Sequence, residues 1–302
     1  MNPTHLPILR SVAAGYAFLI SHWQRALIVA APYTLLYAVE IMLMRTMGEA
    51  GSNLAVAMGG FLLQLGVVIA SLALSAACLR MAVLGDYSGW HSLKAGADEG
   101  RLFIVALLVS ALTALIFVMA FMFWAVVLAS VAGGAMSRAG VDPEGDGLEL
   151  ADGMAYLSTA DWIVVGAVGL IAAGVMAWLL ARLVLAFPAT IASGKIMVLS
   201  AFSLSRDNAA RIAAAVLLTA LPLLVLEVGL YELISALTGS RPLYMPPLAG
   251  ADQPGVENLA ATAEYMRWTG LMAFINVPVF SGLYAYIYRD RVAVAPAGDV
   301  AA

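Results

Sequence analysis

The 302-residue chain carries one cysteine, three histidines and only 11% charged residues, and each shortage removes a class of chemistry. Cys78 stands alone in an apolar run, so neither an intramolecular disulfide nor a cysteine-based metal site can be built. Its expected role is that of a small buried apolar residue. His5, His22 and His91 fall at no metal-binding spacing such as HExxH, and no G-x-S-x-G, Walker A or dinucleotide glycine pattern occurs. The acidic stretch 142–152 resembles a Ca²⁺ loop in composition alone, without the spacing and closing glutamate of an EF-hand. No catalytic residue, cofactor or metal is therefore expected, and the chain reads as a non-enzyme. Basic residues number 15 against 19 acidic ones with no run of Lys and Arg, which argues against nucleic acid as a partner.

What the chain has is apolar length. Hydrophobic residues make up 63% of it, far outside the range of a soluble domain, so the lipid bilayer is the expected solvent. A helix rising about 1.5 Å per residue needs roughly 20 apolar residues to cross a hydrocarbon core of about 30 Å. The expected fold is an all-α integral membrane protein, a single membrane domain over 1–302 with six transmembrane helices. They are placed at about 26–47, 54–84, 102–131, 162–187, 212–237 and 268–288, with 289–302 as a cytoplasmic tail. Between them lie a short turn at Gly48–Asn53, an acidic loop (Asp142, Glu144, Asp146, Glu149, Asp152, Asp161), and a long polar connection at 189–210. A further loop at 241–255 contains Pro242, Pro246, Pro247 and Pro254.

Residues 6–23 have two faces on a helical wheel. Leu9, Val12, Ala13, Tyr16, Leu19, Ile20 and Trp23 fall on one side, and Arg10, Ser11, Ser21, His22 and Arg25 on the other, with Phe18 as the exception. Such a helix lies in the membrane interface rather than across it. The stretch 85–100, with Trp90, Leu93 and Ala97 on one face, can rest there too. Arg10, Trp23, Arg25, Trp90, Arg182 and Arg211 are the expected interfacial anchors, with Arg80 and Arg182 snorkelling from helix ends. No signal peptide is expected, because Pro32 follows the small residues Val29, Ala30 and Ala31 directly.

Orientation follows from the basic residues. Arg10, Arg25, Arg80, Lys94, Arg101, Arg182, Lys195, Arg206, Arg211, Arg289 and Arg291 share one side, while Arg45, Arg138, Arg241 and Arg267 share the other. The positive-inside rule places the larger set, and both termini, in the cytoplasm. For a bacterial host, the expected location is the inner membrane.

Three polar approaches, each ending in one arginine before an apolar run, precede the odd-numbered crossings at Arg25, Arg101 and Arg211. One reading is three repeated hairpins with cytoplasmic interfacial segments; the other is that any helix leaving the cytoplasm tends to begin with an arginine. The run from Ala181 to Ile212 resembles part of the membrane domain found in some bacterial glycerophosphoryl diester phosphodiesterases and in related stand-alone proteins, the YciC-like group. The similarity rests on Arg182 to Pro188 and on Ala201 to Asn208, where Asp207 replaces the family's usual glycine, and on Leu283 to Arg291 near the end. The resemblance implies a helical membrane domain without the family's separate catalytic barrel, since every soluble segment here is too short to hold one. No diesterase activity is therefore expected.

Ionisable groups inside a bilayer ask for a reason. Glu40 and Glu227 sit 15 and 16 residues beyond Arg25 and Arg211, at matching depths in the first and fifth crossings. They can line a polar cavity, bind a cation or carry protons; alternatively Arg45 and Tyr231 serve as local partners. Gln64 and Asn276 are further mid-helix polar residues, either part of a pathway or hydrogen-bonding glue between helices. The ladders Ala106, Ser110, Ala114 and Gly169, Ala173, Ala177 are spaced for close helix approach. Two functions are carried forward: a non-catalytic protein supporting envelope or lipid organisation, and a transporter or channel for a small or lipid-like solute using Glu40 and Glu227. An intramembrane enzyme is a third. The expected partners are membrane lipids, with a membrane protein or a second copy of the chain as further candidates.

Overall fold

The computed structural model describes residues 5–50, 54–87, 96–141, 153–238, 270 and 272–294, and its side chains except those of 41–50, 54–57, 234, 235, 237, 238 and 294. Trp90, the acidic loop up to Asp152 and the proline-rich loop lie outside these residues, as does the side chain of Arg45. The described residues form helices and no strand, as apolar segments must when lipid offers no partner to a backbone N–H or C=O. In chain order these are α1 (Ile8–Ala50), α2 (Leu54–Leu84), α3 (Ala97–Arg138), α4 (Thr159–Leu183), α5 (Ala186–Ser193), α6 (Ser200–Leu204), α7 (Ala209–Thr238) and α8 (Ala273–Val294).

Four stretches are long and apolar enough to cross a membrane: Met58–Leu84, Ala97–Arg138, Thr159–Ser193 and Ala209–Leu233. Their outward surface is apolar, with Leu107, Leu115, Phe117, Met119, Leu170 and Val225 all exposed, the character of a membrane protein. At 42 residues and about 1.5 Å each, α3 is about 63 Å long, twice the hydrocarbon thickness, so its ends reach beyond the expected crossing at 102–131. Among the described residues, α1 and α8 do not reach the same apolar length. Arg10, His22, Arg25 and Glu40 interrupt α1, and Asn276, three tyrosines and the sequence Arg289-Asp290-Arg291 interrupt α8.

The backbone of α1 leaves helical geometry at His22 (φ −127°, ψ 19°), dividing it close to the expected boundary between interfacial helix and first crossing. Pro32, ten residues on, is not the break. At the break the His22 Nδ1–H donates to the Phe18 carbonyl, one turn back, at 3.1 Å. Residues 8–21 pass over α7 and α8: Tyr16 donates to the Thr219 carbonyl at 2.8 Å, and Ser11 and Gly15 are buried. Leu9, Ile20 and Trp23 remain exposed, as the apolar face of an interfacial helix requires. Two glycines permit the crossing of α1 and α8. A Cβ on Gly15 would lie 2.8 Å from the Val279 carbonyl oxygen, and one on Gly282 would lie 2.5 Å from the Phe18 Cβ.

Beyond His22, Val29, Ala30 and Tyr33 of α1 pack against Val67, Leu74, Ala77 and Cys78 of α2. Cys78 is fully buried, in the role expected of it. The larger core joins Leu6, Ile212, Leu283 and Ile287 to Leu185, Ala186, Val198 and Ala201. Val198 and Ala201 lie within 189–210, so the connection expected there to be polar is in part core. The chain bends at 184–185, and α5 enters the bundle with Ala189, Thr190 and Ile191 buried. Its polar side chains turn back on nearby backbone: Ser193 donates to Ala189 O at 2.8 Å, and Thr190 Oγ1 accepts from Met197 N at 3.2 Å.

Charge is concentrated where helices meet end to end. Arg80 is not a snorkelling anchor. It is 7% exposed, and its guanidinium lies 2.7 Å from Glu99 and 3.5 Å from Asp98 in the first turn of α3. Asp98 also pairs with Arg101 at 2.9 Å. At the far end of α3, Arg138 reaches both oxygens of Asp161 at 2.8 and 2.7 Å. Asp161 belongs to the first turn of α4 rather than to the acidic loop, and forms a capping box with Ser158. Truncating one member of a buried ion pair strands the other, at a cost of about 3–5 kcal/mol. Arg80→Met is expected to lower the thermal midpoint of the purified protein in detergent by more than the Arg80→Met, Glu99→Gln double variant does, with midpoints read by fluorescence.

Candidate functional site

Of the four residues expected in a pathway, the structure joins two. Asn276 of α8 donates its amide Nδ2–H to the Glu227 Oε1 on α7. A carboxylate only accepts, so this contact fixes which end of the amide faces it. Glu40 lies elsewhere, buried on α1 at 6% exposure, seven and three residues beyond Tyr33 and Tyr37, whose rings stack at 5.7 Å. Gln64, expected in a pathway or between helices, is exposed on the outer face of α2 with Phe61, Leu65 and Val68, and forms no hydrogen bond among the described residues.

Asn276 also lines a groove of about 310 Å³ between α2, α3, α5 and α8. Leu72, Ser75 and Leu79 come from α2, Leu102 and Ala106 from α3, and Phe187 from α5. The fourth wall is Val277, Phe280, Ser281 and Tyr284, one to eight residues beyond Asn276 on α8. Ala106, the first rung of one expected small-residue ladder, leaves space here instead of admitting a second helix. In the other ladder, Gly169 admits an aromatic ring. A Cβ there would lie 3.1 Å from the Trp124 indole nitrogen, which donates to Val165 O at 3.3 Å. Ser75, Ser281 and Tyr284 escaped the sequence reading. The only signal was that Ser281 and Tyr284 are i, i+3 neighbours, with Tyr284 two turns beyond Asn276.

Two of the expected anchors, Arg25 and Arg211, make contacts at the N-terminal segment. Arg25 holds its guanidinium 4.7 Å above the Tyr87 ring, on which His22 stacks at 4.8 Å. Trp23 is 56% exposed beside them, and Arg10 is exposed as well. Arg211 donates to the Leu6 carbonyl at 3.1 Å, while Asn208 Oδ1 accepts from Leu6 N at 2.9 Å. Arg182 lies 4.1 Å above the Trp178 ring. Asp207, just before the Asn208 clamp, has φ +62°, the left-handed region that glycine enters freely and Asp and Asn tolerate.

No family model matches the chain, and neither does any curated protein or solved structure. The arrangement itself offers a polar, uncharged wall to an apolar groove, backed by one carboxylate.

Interhelical hydrogen bonds in membranes average about 0.6 kcal/mol and reach about 1.7. Glu227→Leu removes the acceptor and is expected to destabilise the protein by that order, whereas Glu227→Gln retains an acceptor oxygen and costs less. Thermal midpoints of the two variants in the same detergent give the comparison. At position 207, glycine is expected to match or exceed the wild-type midpoint, and Asp207→Val to fall below it, because a β-branched residue is strained at positive φ.

Proposed function

We propose that the chain is a six-crossing, non-catalytic protein of the bacterial inner membrane that supports lipid organisation by holding a lipid in the groove. The observation that carries this reading is the groove itself. Its volume stands at the lower end of ligand sites, about 300–1,000 Å³, and its walls are mainly apolar with a few convergent polar groups.

The packing supports crossings by α1 and α8 and a common side for both termini. One end of the bundle brings together Leu6, the start of α7 at Asn208 and Arg211, and the linked ends of α2 and α3 at Arg80 and Glu99. The end of α8 joins them, where Arg289 donates to the Ala82 carbonyl. These positions carry much of the basic set that the positive-inside rule assigns to the cytoplasm. The resemblance to the membrane domain of glycerophosphoryl diester phosphodiesterases agrees with a non-catalytic role, and the conformation of Asp207 suits a position where that family has glycine.

A second reading, movement of a lipid-like solute, is favoured by one contact: Glu227 is bonded to a residue of the groove wall. Flux in proteoliposomes that is the same for wild type and the Glu40→Gln, Glu227→Gln double variant removes both carboxylates from such a mechanism.

Ala106→Trp fills the groove and is expected to reduce lipid retained through purification, measured by mass spectrometry, while the protein stays folded. Unchanged retained lipid, together with unchanged membrane composition after gene deletion, overturns the lipid-holding role. The buried Cys78 leaves a quiet background for topology. Cysteines placed at Arg10 and Arg206 are expected to react with an impermeant thiol reagent from the cytoplasmic side, and one at Arg138 from the opposite side.

A further inference from the structure

Building on the lipid-holding reading, we propose that the groove selects an uncharged lipid with a free hydroxyl, of the diacylglycerol class, over the phospholipids around it. The argument begins with hydroxyls that lack partners. Helical Ser and Thr residues in this protein commonly bond to a carbonyl one turn back: Ser11 to Pro7, Thr34 to Ala30, Ser130 to Val126, Ser137 to Gly133 and Thr219 to Ala215. Ser75 and Ser281 do not. Neither they nor the Tyr284 hydroxyl form a hydrogen bond among the described residues, although Ser281 is only 4% exposed. All three line the same groove. Hydroxyls that open into an apolar groove facing lipid have no hydrogen-bond partner there, and a ligand that pairs with them supplies one.

The fourth polar group narrows the ligand. Asn276 commits an amide N–H to Glu227, which turns its Oδ1 away from the carboxylate as an acceptor for a ligand hydroxyl. The serine and tyrosine hydroxyls can then donate to ester carbonyls. None of the lining residues is Lys, Arg or His, so a phosphate placed here would be desolvated without a counter-charge. Size agrees: 310 Å³ is the space of about ten waters at about 30 Å³ each, enough for a glycerol backbone and its ester groups but not for whole acyl chains. The chains leave over exposed apolar side chains one turn away, Ile69 before Leu72 and Phe103 before Ala106.

The test uses the full chain in phosphatidylethanolamine–phosphatidylglycerol nanodiscs with a photoreactive diacylglycerol as probe. Unlabelled diacylglycerol is expected to compete at least about tenfold better than phosphatidic acid or the same diacylglycerol acetylated at its hydroxyl. The Ser75→Ala, Ser281→Ala, Tyr284→Phe variant is expected to lose that preference without a lower thermal midpoint, since these hydroxyls hold no bond in the protein. Labelling that Ala106→Trp abolishes, but for which all three competitors are equal, overturns the hydroxyl selection and leaves the lipid-holding groove standing. Labelling that Ala106→Trp leaves intact overturns both. A triple variant that unfolds overturns the assignment of these side chains to a ligand and makes them structural.

Discussion

In hydrocarbon a polar group must find its partner inside the protein, and the ion pairs of this bundle accordingly stand at the ends of its apolar helices. Arg80 and Glu99 neutralise each other where α2 hands over to α3, and Arg138 and Asp161 do the same between α3 and α4. The side chains of Asn208 and Arg211 satisfy the two backbone groups of Leu6, whose own side chain is buried in the core, so the chain entering the bundle is fixed by both. Between these joints, dispersion packing around small residues suffices, because lipid provides no hydrophobic drive for helices to associate.

The same demand explains what could be read in advance. Apolar runs bounded by charge or glycine place α2 at 54–84 and set α7 within three residues at its start, since nothing but a helix satisfies such a run in lipid. The boundary near residue 23 was also legible, from a change of pattern: two-faced before it, apolar after it. In the segment 189–210, Lys195, Arg206 and Asp207 are exposed as a polar connection requires, but Ile191, Val198 and Ala201 are core, and Thr190, Ser193 and Ser205 spend their hydroxyls on neighbouring backbone, which composition does not contain.

The candidate site shows where pattern stops. Glu227 and Asn276 stand out in any apolar helix, but their partnership depends on how α7 and α8 lie against each other, which spacing within one helix does not contain. Gln64 stands out equally and faces outward, because the packed stripe of α2 is Val67, Leu74, Ala77 and Cys78. The three approaches ending at Arg25, Arg101 and Arg211 look alike in sequence, yet one is a broken helix, one a helix start held by acidic side chains, and one a turn through Asp207. Whatever ancestry they share, each now solves a different local problem.

The limb of α1 before His22 is clasped at both ends, to the start of α7 through Leu6 and to the segment after α2 through the stacked rings of His22 and Tyr87. A helix resists stretching, since lengthening it breaks its own hydrogen bonds in series. The limb is therefore a tie-rod across the base of the bundle. Separating α7 from α2 strains this limb as well as the packing of α8 against both, and the cation over Tyr87 adds its attraction to the clasp at that ring.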